Sequence, residues 1–166
     1  MRKCSSKGSH ALIFCFTMLL AGHAAQDMTS ISRSGATAIT VKSGNQAASI
    51  TVRTIPVTKS DAMFPATWTW SDKVIAVQQL TISVNGEMLF VPSSVYLDLV
   101  EPRELSASPD KGGFRLEIHG ADASESYIVQ IYFDRRSVKR RLVYSALDPL
   151  KPTQDTRYFT TELKDK

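Results

Sequence analysis

Three closely spaced segments near the C-terminus alternate apolar and polar residues: FRLEIH at 114–119, YIVQIYF at 127–133 and VKRRLVY at 138–144. Apolar residues at every second position are typical of a β-strand with one buried face. The links between these segments are too short for a crossover connection, so neighbouring strands must be antiparallel. A fourth segment, Glu104–Ser108, precedes them across the turn-forming PDKGG at 109–113. Together the four segments predict an antiparallel meander.

Pairing the last two segments across a four-residue loop predicts which face of this sheet is buried. In that register Phe133 lies opposite Val138, and Ile131 lies opposite Arg140. One face is then apolar except at Arg140. Arg141 points to the opposite face, a mixed face that carries both polar and apolar residues. Part of the mixed face is expected to be shielded by another element or by a partner.

Two further hairpins are predicted upstream. Alternating residues at 37–42 and 48–53 flank the turn-forming SGNQ at 43–46. The β-branched stretch Val74–Val84 runs into Asn85-Gly86, which favours a tight type I′ turn.

Three details complete the local prediction. Glu87–Val91 is expected to return as the strand that pairs with Val74–Val84. The alternation of apolar and polar residues in Val74–Val84 changes phase at Gln78-Gln79, which predicts a β-bulge. Pro92–Val100 predicts a short helical turn with a serine N-cap, ended by Pro102. Arg157–Thr160 is expected to form an edge strand.

The N-terminus has the three-part layout of a secretory signal peptide. Arg2, Lys3 and Lys7 precede the apolar run ALIFCFTMLLA at 11–21, and the small residues of AGHAA at 21–25 follow it. The run is too short to span a bilayer comfortably. We therefore expect export and a periplasmic or secreted location, with no transmembrane segment in the mature chain.

Charge and cysteine content narrow the function classes. The 166 residues carry a formal charge of +4, but removal of residues 1–25 leaves 17 basic and 16 acidic residues, a charge of +1. A nucleic-acid partner is therefore not expected. Cys4 and Cys15 leave with the signal peptide, so the mature chain has no disulfide, cysteine nucleophile or cysteine-ligated metal.

We therefore predict a mainly β protein: an antiparallel β-sandwich or curled β-sheet with one short helix, preceded by a signal peptide. The expected organisation is a signal peptide at 1–25, an extended or hairpin segment at 26–73, an antiparallel β domain at 74–160 and a charged tail at 161–166. Whether the 26–73 segment is fully ordered is left open.

Catalytic chemistry has little support in this sequence. The mature chain has one histidine, His119, and no GxSxG turn, so a serine hydrolase is not expected. Asp122, Ser124 and Ser126 alternate like the start of a calcium loop, but the central glycine is missing and Phe133 stands where the bidentate glutamate belongs. We predict no enzyme, no metal and no cofactor.

Basic residues are concentrated in the last hairpin of the meander. Arg135, Arg136 and Arg141 are the predicted contacts for an acidic protein surface or an anionic envelope polymer. The alternative is a solvated hairpin whose charges prevent edge-to-edge aggregation.

A second predicted partner-binding segment is the loop Ser124, Glu125, Ser126 and Tyr127. This short stretch resembles the Ser- and Tyr-containing inhibitory loop of small periplasmic lysozyme inhibitors, many of which carry cysteines that this mature chain lacks. The likeness covers four residues and assigns no family. It implies one specific function, inhibition of a wall hydrolase.

Trp68 and Trp70 support an alternative function. Two residues apart on a strand, both indoles would point the same way, as in a sugar-stacking platform. The competing interpretation is that both fill the core.

Our leading hypothesis is an exported non-catalytic binding module of the bacterial envelope that contacts a protein. The alternatives are a carbohydrate-recognition domain using Trp68 and Trp70, or a purely structural accessory domain.

Overall fold

The computed structural model describes residues 27–62 and 71–159. The predicted signal peptide, Trp68 with Trp70, and the charged tail at 161–166 lie outside these residues. Within them, ten strands form two antiparallel sheets, and the only helical segments are two three-residue 3-10 turns. The strands are β1 (Thr29–Ser30), β2 (Gly35–Ser43), β3 (Gln46–Thr58), β4 (Lys73–Val84), β5 (Glu87–Met88), β6 (Pro102–Asp110), β7 (Gly113–Gly120), β8 (Tyr127–Phe133), β9 (Val138–Ser145) and β10 (Gln154–Arg157).

The larger sheet has six strands in the order β1-β6-β7-β8-β9-β10, and the smaller has four in the order β2-β3-β4-β5. Strands β6 to β9 are sequential antiparallel neighbours, which confirms the predicted meander. Strand β10 pairs with β9 through Gln154–Arg157, so the edge strand begins three residues before the predicted start.

Both upstream hairpins form as predicted at their turns. Strands β2 and β3 pair without interruption around residues 44–45. Asn85 and Gly86 have φ values of 53° and 85°, the left-handed pair that a type I′ turn needs. The partner strand is shorter than expected and covers only Glu87–Met88. Arg53 pairs with Gln79 and Thr54 with Val77, which confirms the bulge in β4.

The predicted short helix is wrong. The segment forms one 3-10 turn, Ser93–Val95, with Pro92 at the N-cap position and no side-chain cap. Val95 is fully buried. The chain reaches the smaller sheet at Val100, which bridges to Ala76, before a second helical turn can develop.

The predicted register of β8 and β9 is wrong by one residue beyond the turn. Phe133 does lie opposite Val138, but Tyr132 then pairs with Arg140 and Ile131 with Arg141. The register shift comes beside a tight turn in which Oδ1 of Asp134 accepts hydrogen bonds from two following backbone N–H groups, at 2.7 and 3.0 Å. As a consequence Arg141 points inward and Arg140 outward, the reverse of the prediction.

The inner faces of both sheets contribute to one hydrophobic cluster. Its aromatic part is the stacked pair Phe114 and Phe133, with ring centroids 5.6 Å apart. Fully buried aliphatic residues come from the smaller sheet at Ile50 and Ile82, and from the larger sheet at Leu116. Across residues 27–62 and 71–159 we find no helix with the length and hydropathy needed to cross a membrane.

Candidate functional site

The structure separates the two predicted contact regions. The loop at 121–126 joins β7 to β8, and the basic turn at 134–137 joins β8 to β9, so they lie at opposite ends of β8. A seven-residue strand is about 20 Å long. The two regions are therefore separate surfaces rather than one patch.

The loop region is built around Asp122. Its Oδ1 accepts a hydrogen bond from the Ala123 N–H at 2.8 Å, and its Oδ2 pairs with Nη2 of Arg103 at 2.8 Å. The Arg103 guanidinium lowers the pKa of the Asp122 carboxyl, with the Ala123 N–H acting in the same direction. Ser124 and Glu125 are exposed and line a shallow cavity of about 410 Å³ beside this ion pair.

Strained backbone is concentrated at this cavity. Among the described residues, four other than glycine have positive φ, and three of them line it: Glu101 at 47°, Ala121 at 57° and Ala123 at 46°. The Ala121 N–H donates to the Glu101 carbonyl at 2.8 Å. Oε1 of Glu101 accepts from the Ile75 N–H at 2.7 Å. These bonds hold the loop in one conformation despite the strain.

The other two predicted loop residues support the loop from within. The Tyr127 ring occupies the space where a Cβ on Gly120 would lie, and its hydroxyl donates to the Val100 carbonyl at 2.9 Å. Burial raises the Tyr127 pKa. The Ser126 hydroxyl donates to the Ala123 carbonyl at 2.7 Å. Ser124 and Glu125 are therefore the predicted residues that the loop presents to solvent.

The basic turn borders a larger groove of about 1020 Å³ at the other end of the sheet. Arg135 and Arg136 line it together with Arg157, and none of the three forms an ion pair with a described residue. Met88 is 64% exposed and Phe159 is 85% exposed in the same groove. Three arginines and two exposed apolar side chains thus share one concave surface.

Sequence reasoning missed most of this groove, including Met88, Arg157 and Phe159. They belong to separate elements that meet only in the folded chain. Strand β10 runs antiparallel to β9, so Arg157 pairs with Arg140 and the segment 157–159 lies beside the 134–137 turn. The backbone N–H of Tyr158 donates to the Lys139 carbonyl at 2.9 Å, which fixes that position.

Arg141 lies inside the fold and is 1% exposed. Its Nη2 donates to both carboxylate oxygens of Asp98, at 2.8 and 2.7 Å, and its Nη1 donates to Oε1 of Gln154 at 2.9 Å. Arg140, predicted to point inward, is at the surface in a bidentate pair with Asp155. We therefore leave Arg141 out of the surface proposed below.

The remaining candidates fall outside these two regions. Trp68 and Trp70 lie beyond the described residues. His119 pairs through Nε2 with Oε1 of Glu117 at 2.8 Å. In the described part of the chain, no three His, Cys, Asp or Glu side chains converge in a group that could hold a metal ion.

Comparisons with protein-family models, with curated proteins and with solved structures find no match to this chain.

Proposed function

We propose that this chain is an exported, non-catalytic binding module of the bacterial envelope, a β-sandwich that docks an acidic segment of a protein partner. The docking groove lies between the 134–137 turn, the β4–β5 hairpin and the segment after β10. The observation that carries the proposal is that Arg135, Arg136 and Arg157 form no ion pair with any described residue and lie next to exposed Met88 and Phe159.

The docking groove offers a partner both positive charge and apolar contact. An arginine guanidinium binds a carboxylate through two parallel hydrogen bonds, and arginine and aromatic residues are enriched where interfaces gain most of their energy. Among the described residues that line the groove, Glu87 is the only acidic one, so their net charge is positive. Exposed Phe159 and Met88 offer surface that a partner would remove from water. An acidic segment with one apolar anchor residue matches both features.

A more specific form of this function is inhibition of a wall hydrolase through the 121–126 loop. An inhibitory loop binds tightly when its bound conformation exists before binding, because less conformational entropy is lost. The anchoring of Glu101 and Asp122 supports such pre-organisation. Ser124 and Glu125 would enter the partner's cleft.

A carbohydrate function centred on Trp68 and Trp70 stays a prediction from the sequence. Binding of glycan fragments should change tryptophan fluorescence if both indoles contact sugar. A titration without change, together with emission typical of buried tryptophan, would count against that role.

A peptide titration tests the docking groove. The probe is a fluorescently labelled peptide that alternates glutamate and leucine, with a lysine–leucine peptide as the charge control. We expect the double variant Arg135→Glu/Arg136→Glu to bind the acidic peptide at least about tenfold more weakly, and binding by the parent protein to weaken as salt rises.

The matched control is Arg53→Glu, which reverses an exposed arginine on the smaller sheet and should leave affinity unchanged. Phe159→Ala should also weaken binding, because it removes the apolar contact. Equal affinity for the parent protein, the double variant and Phe159→Ala would contradict the proposal.

A further inference from the structure

The outer face of the six-stranded sheet carries a row of planar polar side chains that the docking groove does not use. Cross-strand partners share a face, and the pairing of β7, β8 and β9 places the outward residues together. Each of them is half-buried. They are Arg115, Glu117, His119, Ile128, Gln130, Tyr132, Arg140 and Tyr144.

A chain of hydrogen bonds fixes the centre of this face. The Tyr132 hydroxyl donates to Oε1 of Gln130 at 2.8 Å, and Nε2 of Gln130 donates to Oε2 of Glu117 at 2.9 Å. The other Glu117 oxygen pairs with Nε2 of His119 at 2.8 Å. An ionised carboxylate only accepts hydrogen bonds, so Nε2 of His119 must donate. These side chains are therefore oriented before any ligand arrives.

An ion pair lies next to this chain. Arg140 holds Asp155 of β10 through two hydrogen bonds of 2.8 Å. These bonds are the main cause of the raised Arg140 pKa. Tyr132 lies directly opposite Arg140 in the register, and Tyr144 lies on the same face opposite Ile128. Leu142, on the same face, is 5% exposed and does not belong to the hydrophobic cluster between the sheets. Neighbouring residues of this face therefore cover it.

This face carries no excess of positive charge. By register it holds three arginines and four acidic residues: Arg115, Arg140, Arg157, Glu104, Asp110, Glu117 and Asp155. Nucleic acids and anionic lipids need an excess of positive charge. A hydrophobic partner needs an uninterrupted apolar patch, which polar residues break here. A polyhydroxyl ligand instead needs hydrogen-bond donors and acceptors together with aromatic surface. This face offers polar side chains of both kinds and two tyrosine rings.

We propose that the outer face of β7 to β10, centred on Gln130, Tyr132 and Tyr144, binds a neutral polysaccharide. Neighbouring strands are about 4.8 Å apart, which is close to the length of one sugar unit. A polysaccharide crossing the strands would therefore meet side chains at regular intervals. Gln130, Tyr132 and Tyr144 are not among the residues that line the docking groove.

Amide NMR on the isotope-labelled mature chain tests the proposal with three neutral probes: chitohexaose, cellohexaose and maltohexaose. We expect at least one of them to shift amide signals of β7 to β9 and leave those of the 134–137 turn unchanged. Tyr144→Ala and Gln130→Ala should each weaken that binding roughly two- to tenfold. Tyr132→Phe should also weaken it, because it keeps the ring and removes the hydrogen bond to Gln130.

Arg53→Ala, on the outer face of the smaller sheet, is the matched control and should bind like the parent protein. Preserved amide dispersion in each variant separates loss of binding from loss of fold. The proposal is overturned if none of the three sugars shifts the β7 to β9 signals, or if polyanionic heparin alone shifts them. It is equally overturned if Tyr144→Ala and Gln130→Ala bind as well as the control.

Discussion

At the residue scale, Arg141 is the residue whose position departs most from the pattern of its strand. Its guanidinium lies in the interior, where an unpaired charge costs several kcal/mol. Asp98, whose side chain is 58% exposed, compensates that charge from the segment between the two sheets. Nε of Arg141 has no hydrogen-bond partner among the described residues. The ion pair thus links β9 to the 93–100 segment.

We predict that Asp98→Asn lowers the free energy of unfolding by about 1–3 kcal/mol, because it leaves the buried Arg141 charge without its counter-ion. Urea unfolding at neutral pH measures the change. The control is Asp155→Asn, whose partner Arg140 is at the surface, and it should cost clearly less than Asp98→Asn. Equal losses in the two variants would show that burial of Arg141 is not the reason.

At the scale of the element, a tight contact between neighbouring strands supports the 121–126 loop. Gly120 in β7 pairs with Tyr127 in β8, and the ring lies over the glycine. Any larger side chain at 120 must displace the ring. The same ring carries the hydroxyl that bonds to Val100, so the displacement would also disturb the neighbouring segment.

We predict that Gly120→Ala lowers the free energy of unfolding by about 1–3 kcal/mol through this collision. In a Tyr127→Leu background the same substitution should cost clearly less, since the ring is gone. A double-mutant cycle by urea unfolding measures the coupling between the two positions. Additive effects would mean that the ring is not what excludes a side chain at 120.

The strands themselves are predictable from sequence, whereas their exact pairing is not. The alternation in Tyr127–Phe133 and Val138–Tyr144 is enough to predict both strands and their antiparallel order. The register shift depends on the local hydrogen bonds of Asp134, which a loop-length argument does not contain. For that reason Arg140 and Arg141 exchange their predicted faces.

The candidate site is less predictable than the strands. Arg135, Arg136 and the 124–125 pair are visible in the sequence as exposed turns. Arg157 and Phe159 join the groove only because β10 folds back onto β9, a long-range pairing without a sequence motif.

At the scale of the whole molecule, aspartates with lowered pKa values determine how stability changes with pH. Each carboxyl with a clear change in pKa is shifted down, and most of these aspartates hydrogen-bond a cation or backbone N–H groups. They are Asp61, Asp72, Asp122, Asp134 and Asp155. The unfolded chain therefore binds more protons near pH 4 than the folded chain, so stability rises with pH there.

We predict that the free energy of unfolding is constant between about pH 5 and 9 and falls as pH drops below the ordinary aspartate pKa of 3.8. The double variant Asp122→Asn/Asp155→Asn should show a shallower fall, because it lacks two of the shifted groups. Urea unfolding at a series of pH values gives both curves. Parallel curves would show that these two carboxylates do not contribute to acid sensitivity.

The groove and the 121–126 loop lie at opposite ends of the larger sheet, so a bound peptide can be assigned to one of them without ambiguity. The most direct measurement is an amide NMR map of labelled residues 26–166 titrated with the glutamate–leucine peptide. The account predicts changes at Glu87–Leu89, at 135–139 and at 157–159, with the 121–126 loop unchanged. Changes centred on the 121–126 loop, or no changes anywhere, would contradict it.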